Sequence, residues 1–543
     1  MKLLIAAVAS LLASAAPAAA ADYDIVIRGG RVLDGGGNPW VAADVAIKDG
    51  RIARVGQVPG AGAKEIDARG RYVSPGFIDM QDQSGRSLME NSGAESKLRQ
   101  GVTSLIAGEG GTPVPADEIA GWFDSLEKNG IAVNFGTYYG AVQARSKVMG
   151  DRAGAPTPEQ LEIMRQEVAK AMRAGVFGIS TALIYAPATF QSAADLIELA
   201  QVAGRCNGFY VTHLRDESDK LLPAIQEAIE IGEKGGVKVE IYHLKAAFQP
   251  GWGKLMPQAV AAINAARARG VDIAADMYVY TAGGTGLNVT VPSWVWADGR
   301  EKGLERLRDP AVRARIKKEV AAGSQADWSN LVVAAGGWDN VVLAGSYSPD
   351  YEQYEGKSIA YIGKQLKKDP ADVAWDIVLA AQPNRASALY FMMSEKDIET
   401  ALRQPWTSIG SDASASDRMT AEDGRGRAHP RAYGNFPRVI AEYVKKRQVL
   451  TLEEAVRKMS GWPAQRMGLS DRGLIREGMR ADVIVFDLDK LQDTATFDRP
   501  VAAPTGIDDV IVNGVATIEA GKVTGARPGR VLRHPCNLPA TAR

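Results

Sequence analysis

A (β/α)8 barrel joined to a small β-sandwich domain is the fold predicted by this 543-residue sequence. Three observations lead there. Eight short apolar β-like runs recur through the middle of the chain, most of them one βα unit apart. Between them lie amphipathic segments with glycine near their ends, the pattern of helices that pack on a parallel sheet. The two ends of the chain instead alternate β-branched runs with Asp-Gly and Gly-Gly turns, as an antiparallel sheet does.

Taken in order, residues 1–20 (MKLLIAAVASLLASAAPAAA) have a basic second position, a short apolar core and small residues before Ala21-Asp22. That is the build of a secretory signal peptide, and it predicts a periplasmic or secreted protein with no membrane span after cleavage. From Tyr23 to about residue 70, runs such as YDIVIRGGRV and VAADVAIKDG read as hairpins. Gly35-Gly36-Gly37 reads as a hairpin turn, since neither a helix nor a phosphate-loop lysine follows it. ADVIVFDLDK and IDDVIVNGVATIEAGKVTG resume the same pattern near the C-terminus, so residues 21–72 and 468–530 are expected to form one sandwich.

The barrel is expected over residues 73–467. Its eight runs are GFIDMQD, GVTSLIAGEG, IAVNFGTYYG, GVFGISTAL, GFYVTH, VKVEIYH, VDIAADMYVY and TSIGSDAS. PEQLEIMRQEVAKAMRAG and LLPAIQEAIEIGEKGG are typical of the helices between them. The one long gap, between the seventh and eighth runs, must hold an insertion at about residues 290–360. Lys+Arg and Asp+Glu both total 64, so no net field favours a nucleic acid or an acidic surface. Export permits a disulfide, but Cys206 and Cys536 are so far apart that both are expected to be free thiols.

Barrel enzymes carry their chemistry at the C-terminal ends of the strands. Those ends present Gln81/Gln83, Glu109, Tyr139, Thr181, His213, His243, Tyr278/Tyr280 and Asp412. The chain has only four histidines, and His213 and His243 stand 30 residues apart, on adjacent strands. With the carboxylate of Glu109 they match the ligand set of a catalytic zinc that keeps an open position for water. Such an ion makes water nucleophilic near neutral pH, and Asp412 is placed to carry its proton to a leaving amine. A turn carboxylate at Glu109 and a helix cap at Asp412 are the structural alternatives. His429 and His534 read as structural.

Several longer motifs, among them VTHLRDES, YHLKAA, SIGSDAS, HPRAYGNFPR and GARPGRVLR, resemble those of the amidohydrolase superfamily, and more narrowly its D-aminoacylase branch. The resemblance runs nearly end to end. It implies a zinc held by a strand-two cysteine and by histidines matching His213 and His243, with the residue matching Asp412 as general base. It also implies that Lys245, Arg431 and one of Tyr278 and Tyr280 grip the carboxylate of an N-acyl amino acid. The sequence departs from that pattern in two places. Gln81 and Gln83 stand where the superfamily carries an HxH pair, and Glu109-Gly110-Gly111 stands where the branch has Asn-Cys-Gly. One zinc per chain is therefore expected, with Glu109 in place of the cysteine. A different amidohydrolase substrate (dipeptide, lactone or imide) and a non-catalytic binding descendant are the competing readings. Homo-oligomerisation is compatible with each of them.

Overall fold

Two parallel sheets form the centre of the molecule. The computed structural model describes residues 21–325, 328–419 and 428–539; the expected signal peptide lies outside them. One sheet runs Phe77–Asp82, Val102–Ala107 and Asn134–Thr137. The other runs from Tyr139–Gly140 through Gly178–Ala182, Phe209–His213, Lys238–Ile241 and Ile273–Met277 to Thr407–Ile409. All eight predicted runs are strands. The two sheets meet through a parallel bridge between Asp82 and Ala413, and Asp412 N donates to Gln81 O at 2.8 Å. On the other side, Phe177 N donates to Thr137 O at 2.9 Å.

The predicted helices form at Pro158–Ala174 and Leu221–Gly235. Thr157 caps the first by accepting from Gln160 N, with proline in the opening turn. Gly175 and Gly236 end the two in the left-handed region that glycine adopts without strain. Their apolar faces bury Met164, Val168, Met172, Ile225 and Ile229 in one continuous core with the strands.

The terminal segments build one nine-stranded sheet, in which the expected antiparallel hairpins form, as between Val41–Lys48 and Arg51–Gly56, but parallel pairs are added to them. Tyr23–Val32 pairs antiparallel with Val41–Lys48 but parallel with Gly62–Asp67 and Tyr72–Pro75. Turn residues mark where a chain bends but carry no information about which strand it next pairs with. The expected turn at Gly35-Gly36-Gly37 is a loop joining the antiparallel pair, with Gly35 and Gly37 at positive φ.

Between Met277 and Thr407 the chain forms a separate layer that extends past the expected 290–360. Gly283–Gly286, Ser387–Tyr390 and Val341–Gly345 make an antiparallel sheet, with Trp375, Leu343 and Ile359 in its own core. WADGREKGLERLRDPAVRARIKKEV becomes two helices, Arg300–Arg308 and Pro310–Ala322, divided by the capping Asp309.

The expectation of two free thiols is wrong: Cys206 and Cys536 form a disulfide. The C-terminal segment runs back along the parallel sheets, which sequence separation conceals. Phe135 N donates to Arg530 O, Leu532 N to Phe135 O and His534 N to Gly175 O. His534 Nε2 then bonds Cys206 O at 2.8 Å, which sets the two cysteines side by side.

Candidate active site

The strand ends converge on a cavity of about 460 Å³. Glu109, His213, His243, Asp412, Arg431, Tyr278 and Lys245 all line it. One donor atom from each of Glu109, His213 and His243 lies within 4.8 Å of the others, and all three residues are buried. Glu109 Oε1 is 2.9 Å from His213 Nδ1 and 3.4 Å from His243 Nε2. Two imidazoles and one carboxylate at this spacing suit a divalent transition metal. His213 Nε2 is buried with no hydrogen-bond partner among the described residues.

The backbone at two of these strand ends is strained. His243 and Asp412 are non-glycine residues held at φ 35° and 49°. Such conformations cost about 1–3 kcal/mol each and persist only where the surroundings enforce them. Here His243 N donates to Asp276 Oδ1 at 2.9 Å, and Asp412 N is held by Gln81 O. Below them, fully buried Lys97 binds Asp79, Ser411 and Ala413 O, tying the first strand to the eighth.

Glu109 is embedded among donors. Gln81 Nε2 donates to Oε2 at 2.8 Å, and Gln83 Nε2 reaches the same oxygen. Burial opposes its charge, yet hydrogen bonds from His213 and His243 hold its carboxyl well below the usual range. Burial and Lys245 oppose protonation of His243, but Glu217, Asp412 and Glu109 outweigh them and push its imidazole up to about 10. A cation bound there must displace that proton. Asp412 accepts from Gln83 Nε2 at 3.1 Å on Oδ1, and Oδ2 lies 2.7 Å from Arg431 Nη1.

Not every expected residue reaches the cavity. Tyr139 packs in the core, Thr181 bonds Tyr210 and Thr212, and Tyr280 packs edge-on against Phe497 and His429. The strand ends at Met277, so the alternation that would put Tyr278 and Tyr280 on one face does not continue beyond it. Lys245 is already engaged, 2.7 Å from Glu217 Oε1 and 2.6 Å from His243 Nδ1. His429 bonds Ala282 O and receives Arg431 N.

Sequence reasoning missed Glu217, Tyr185 and Arg385, which also line the cavity. Glu217 lies 3.0 Å from His243 Nδ1 and 3.4 Å from His213 Nε2. Its position four residues after His213 was the available signal. Tyr185 and Arg385 are shared with a neighbouring cavity of about 300 Å³ whose walls include Val289, Val291, Trp296 and Leu304.

Known proteins resemble this chain closely enough to place it. Residues 364–518 match the model of the amidohydrolase family. An N-acyl-D-glutamate deacylase of Alcaligenes xylosoxydans xylosoxydans is 32% identical over 536 residues, 95% of this chain and 97% of the relative. A D-aminoacylase of the same organism is 31% identical, over 94% and 97%. The crystal structure of N-acyl-D-glutamate deacylase from Bordetella bronchiseptica, complexed with zinc and a phosphonate inhibitor, superposes with a TM-score of 0.78 at 29% identity, covering 94% of this chain and 99% of that one. The chain therefore belongs to the amidohydrolase family, in its D-aminoacylase branch of hydrolases acting on carbon–nitrogen bonds other than peptide bonds.

Proposed function

We propose that this protein is a zinc-dependent deacylase of N-acyl amino acids, with one metal per chain held by Glu109, His213 and His243. The observation that carries the reading is the meeting of those three buried donors with Asp412 and Arg431 in one cavity. The names of the relatives and the zinc in the Bordetella bronchiseptica enzyme support it. In this reading the two parallel sheets are one (β/α)8 barrel over residues 73–467, and residues 21–72 and 468–530 form a separate domain. Residues 1–20 direct the chain to the periplasm, where the Cys206–Cys536 disulfide would be stable.

A metal ion bound by these residues supplies Lewis acidity, making water nucleophilic near neutral pH and polarising the scissile carbonyl. The protein groups do the rest. Asp412 takes the proton of the attacking water and delivers it to the leaving nitrogen as the C–N bond breaks. Arg431 Nε and the Tyr278 hydroxyl are buried without hydrogen-bond partners among the described residues. Unfilled buried donors are costly, and a substrate carboxylate satisfies both. Lys245, bound to Glu217, adds positive charge from below instead of a direct grip. The apolar arm of the substrate extends toward the cavity behind Tyr185 and Arg385.

The reading is tested by metal analysis of protein purified without added metal, and by assays on N-acyl-D-amino acids, N-acyl-L-amino acids and uncharged amides. The expected result is one zinc per chain and release of free amino acid. A folded, zinc-loaded protein that prefers uncharged amides would leave only a general amidohydrolase, and one that cleaves nothing would favour the binding descendant.

A further inference from the structure

We propose that Gln81 and Gln83 are positioning residues for the metal site: their side-chain amides lock Glu109 in a metal-receiving pose and tether it to Asp412, standing in for a second cation. The inference rests on the one-metal reading above.

A carboxylate oxygen can only accept hydrogen bonds, so both amides must turn their NH2 groups toward Glu109 Oε2. That leaves Oε1 facing His213 and His243, 2.9 and 3.4 Å away. The two hydrogens of one amide are divided in Gln83: Nε2 reaches Glu109 Oε2 and, at 3.1 Å, Asp412 Oδ1. Two carboxylates that face the same cavity are thereby bridged by a neutral donor, where their charges would otherwise repel.

Gln81 is held still enough to serve as such a clamp. It is fully buried, its N–H donates to Asp79 Oδ1, and its carbonyl accepts from Asp412 N. The arrangement leaves its own Oε1 buried with no partner among the described residues. A packing role alone does not account for that cost; the alternative amide orientation would satisfy neither Glu109 nor the need for a donor there. A glutamate side chain has three rotatable bonds, and a ligand fixed before the ion arrives loses less freedom on binding. Partners of metal ligands are typically worth about 10–100-fold in metal affinity.

The test is the Gln81→Met/Gln83→Met double variant, similar in length but without donors. Its zinc dissociation constant is measured by competition with a chromophoric chelator, and circular dichroism verifies folding. The expected result is a loss of about 10–100-fold in zinc affinity. A folded variant with affinity within about twofold of the parent would overturn the clamp. Should the double variant not fold, Gln83→Met alone is measured in the same way, and parental affinity there overturns the clamp equally. In a second arm, Gln81→His/Gln83→His is expected to take up a second equivalent of zinc, because imidazoles then occupy the position the amides fill. Uptake of a single equivalent would show that the amides do not hold a cation's place. A parent protein that binds no zinc would overturn the one-metal reading together with the clamp. A parent that binds one zinc beside Met variants of parental affinity would overturn the clamp alone.

Discussion

If the proposed deacylase reading holds, replacing Arg431 with alanine should separate substrate recognition from catalysis. Arg431 is 5% exposed; its guanidinium lies over Tyr278 at 4.5 Å and sets Nη1 2.7 Å from Asp412 Oδ2. Losing a desolvated charge pair of this kind costs about 2–5 kcal/mol, or roughly 30- to 5,000-fold in kcat/KM. Part of that loss is common to all substrates, because Asp412 also loses its partner. The informative quantity is therefore a ratio. For N-acyl amino acids, kcat/KM should fall at least about tenfold further than for the matching amides and esters, with most of the difference in KM. Steady-state kinetics on paired substrates sharing one acyl group give the answer directly. Equal losses in both series would refute the carboxylate clamp and assign Arg431 to holding Asp412 against the start of the helix Arg431–Arg438.

Four further outcomes are expected. Asp412→Asn should retain its zinc while turnover drops by about 10²–10⁴-fold, as measured by metal analysis beside single-substrate kinetics. Glu109→Ala should lose zinc and activity together, and Glu109→Cys should recover part of both; zinc content unchanged in the alanine variant would return Glu109 to a turn role. Burial lowers Lys458 to about 8, only partly offset by Glu454, while its ammonium bonds Thr407 O at the eighth strand. A lysine lowered on folding penalises the folded state below that value and releases the penalty as pH rises toward 10.5, so the parent should gain stability over Lys458→Met between pH 8 and 10 in denaturant titrations. Cys536→Ser should cost about 2–5 kcal/mol in the same titrations.

The strands of the two parallel sheets were legible because a strand buried on both faces needs a continuous apolar run, and that run is a local property of sequence. His213 and His243 were legible for a related reason: one βα repeat converts a spacing of 30 residues into adjacency. Glu109 and Asp412 followed from their places at strand ends. Glu217 lies beyond its strand, in a loop where no periodicity says which way a side chain turns, so only its place four residues after His213 pointed toward its contact with both histidines. Arg385 comes from the inserted layer, more than a hundred residues after the histidines whose cavity it lines. Pairing over long distances was likewise hidden, in the parallel strands of the terminal sheet and in the Cys206–Cys536 bridge. Those features depend on where the whole chain has already gone.

The returning C-terminal segment bears on the order in which the molecule can assemble. Asn134 Oδ1 receives the amide of Arg530, a contact spanning 396 residues, and the strand beginning at Asn134 takes its flanking backbone partners from the same stretch. Tyr72–Pro75 similarly waits for Val483–Phe486. Until nearly nine-tenths of the chain has been made for one, and still more for the other, these strands carry exposed edges, which are the templates on which unfinished chains pair with one another. Loss of even a short C-terminal stretch would therefore act on the yield of native protein well before it altered anything at the distant cavity.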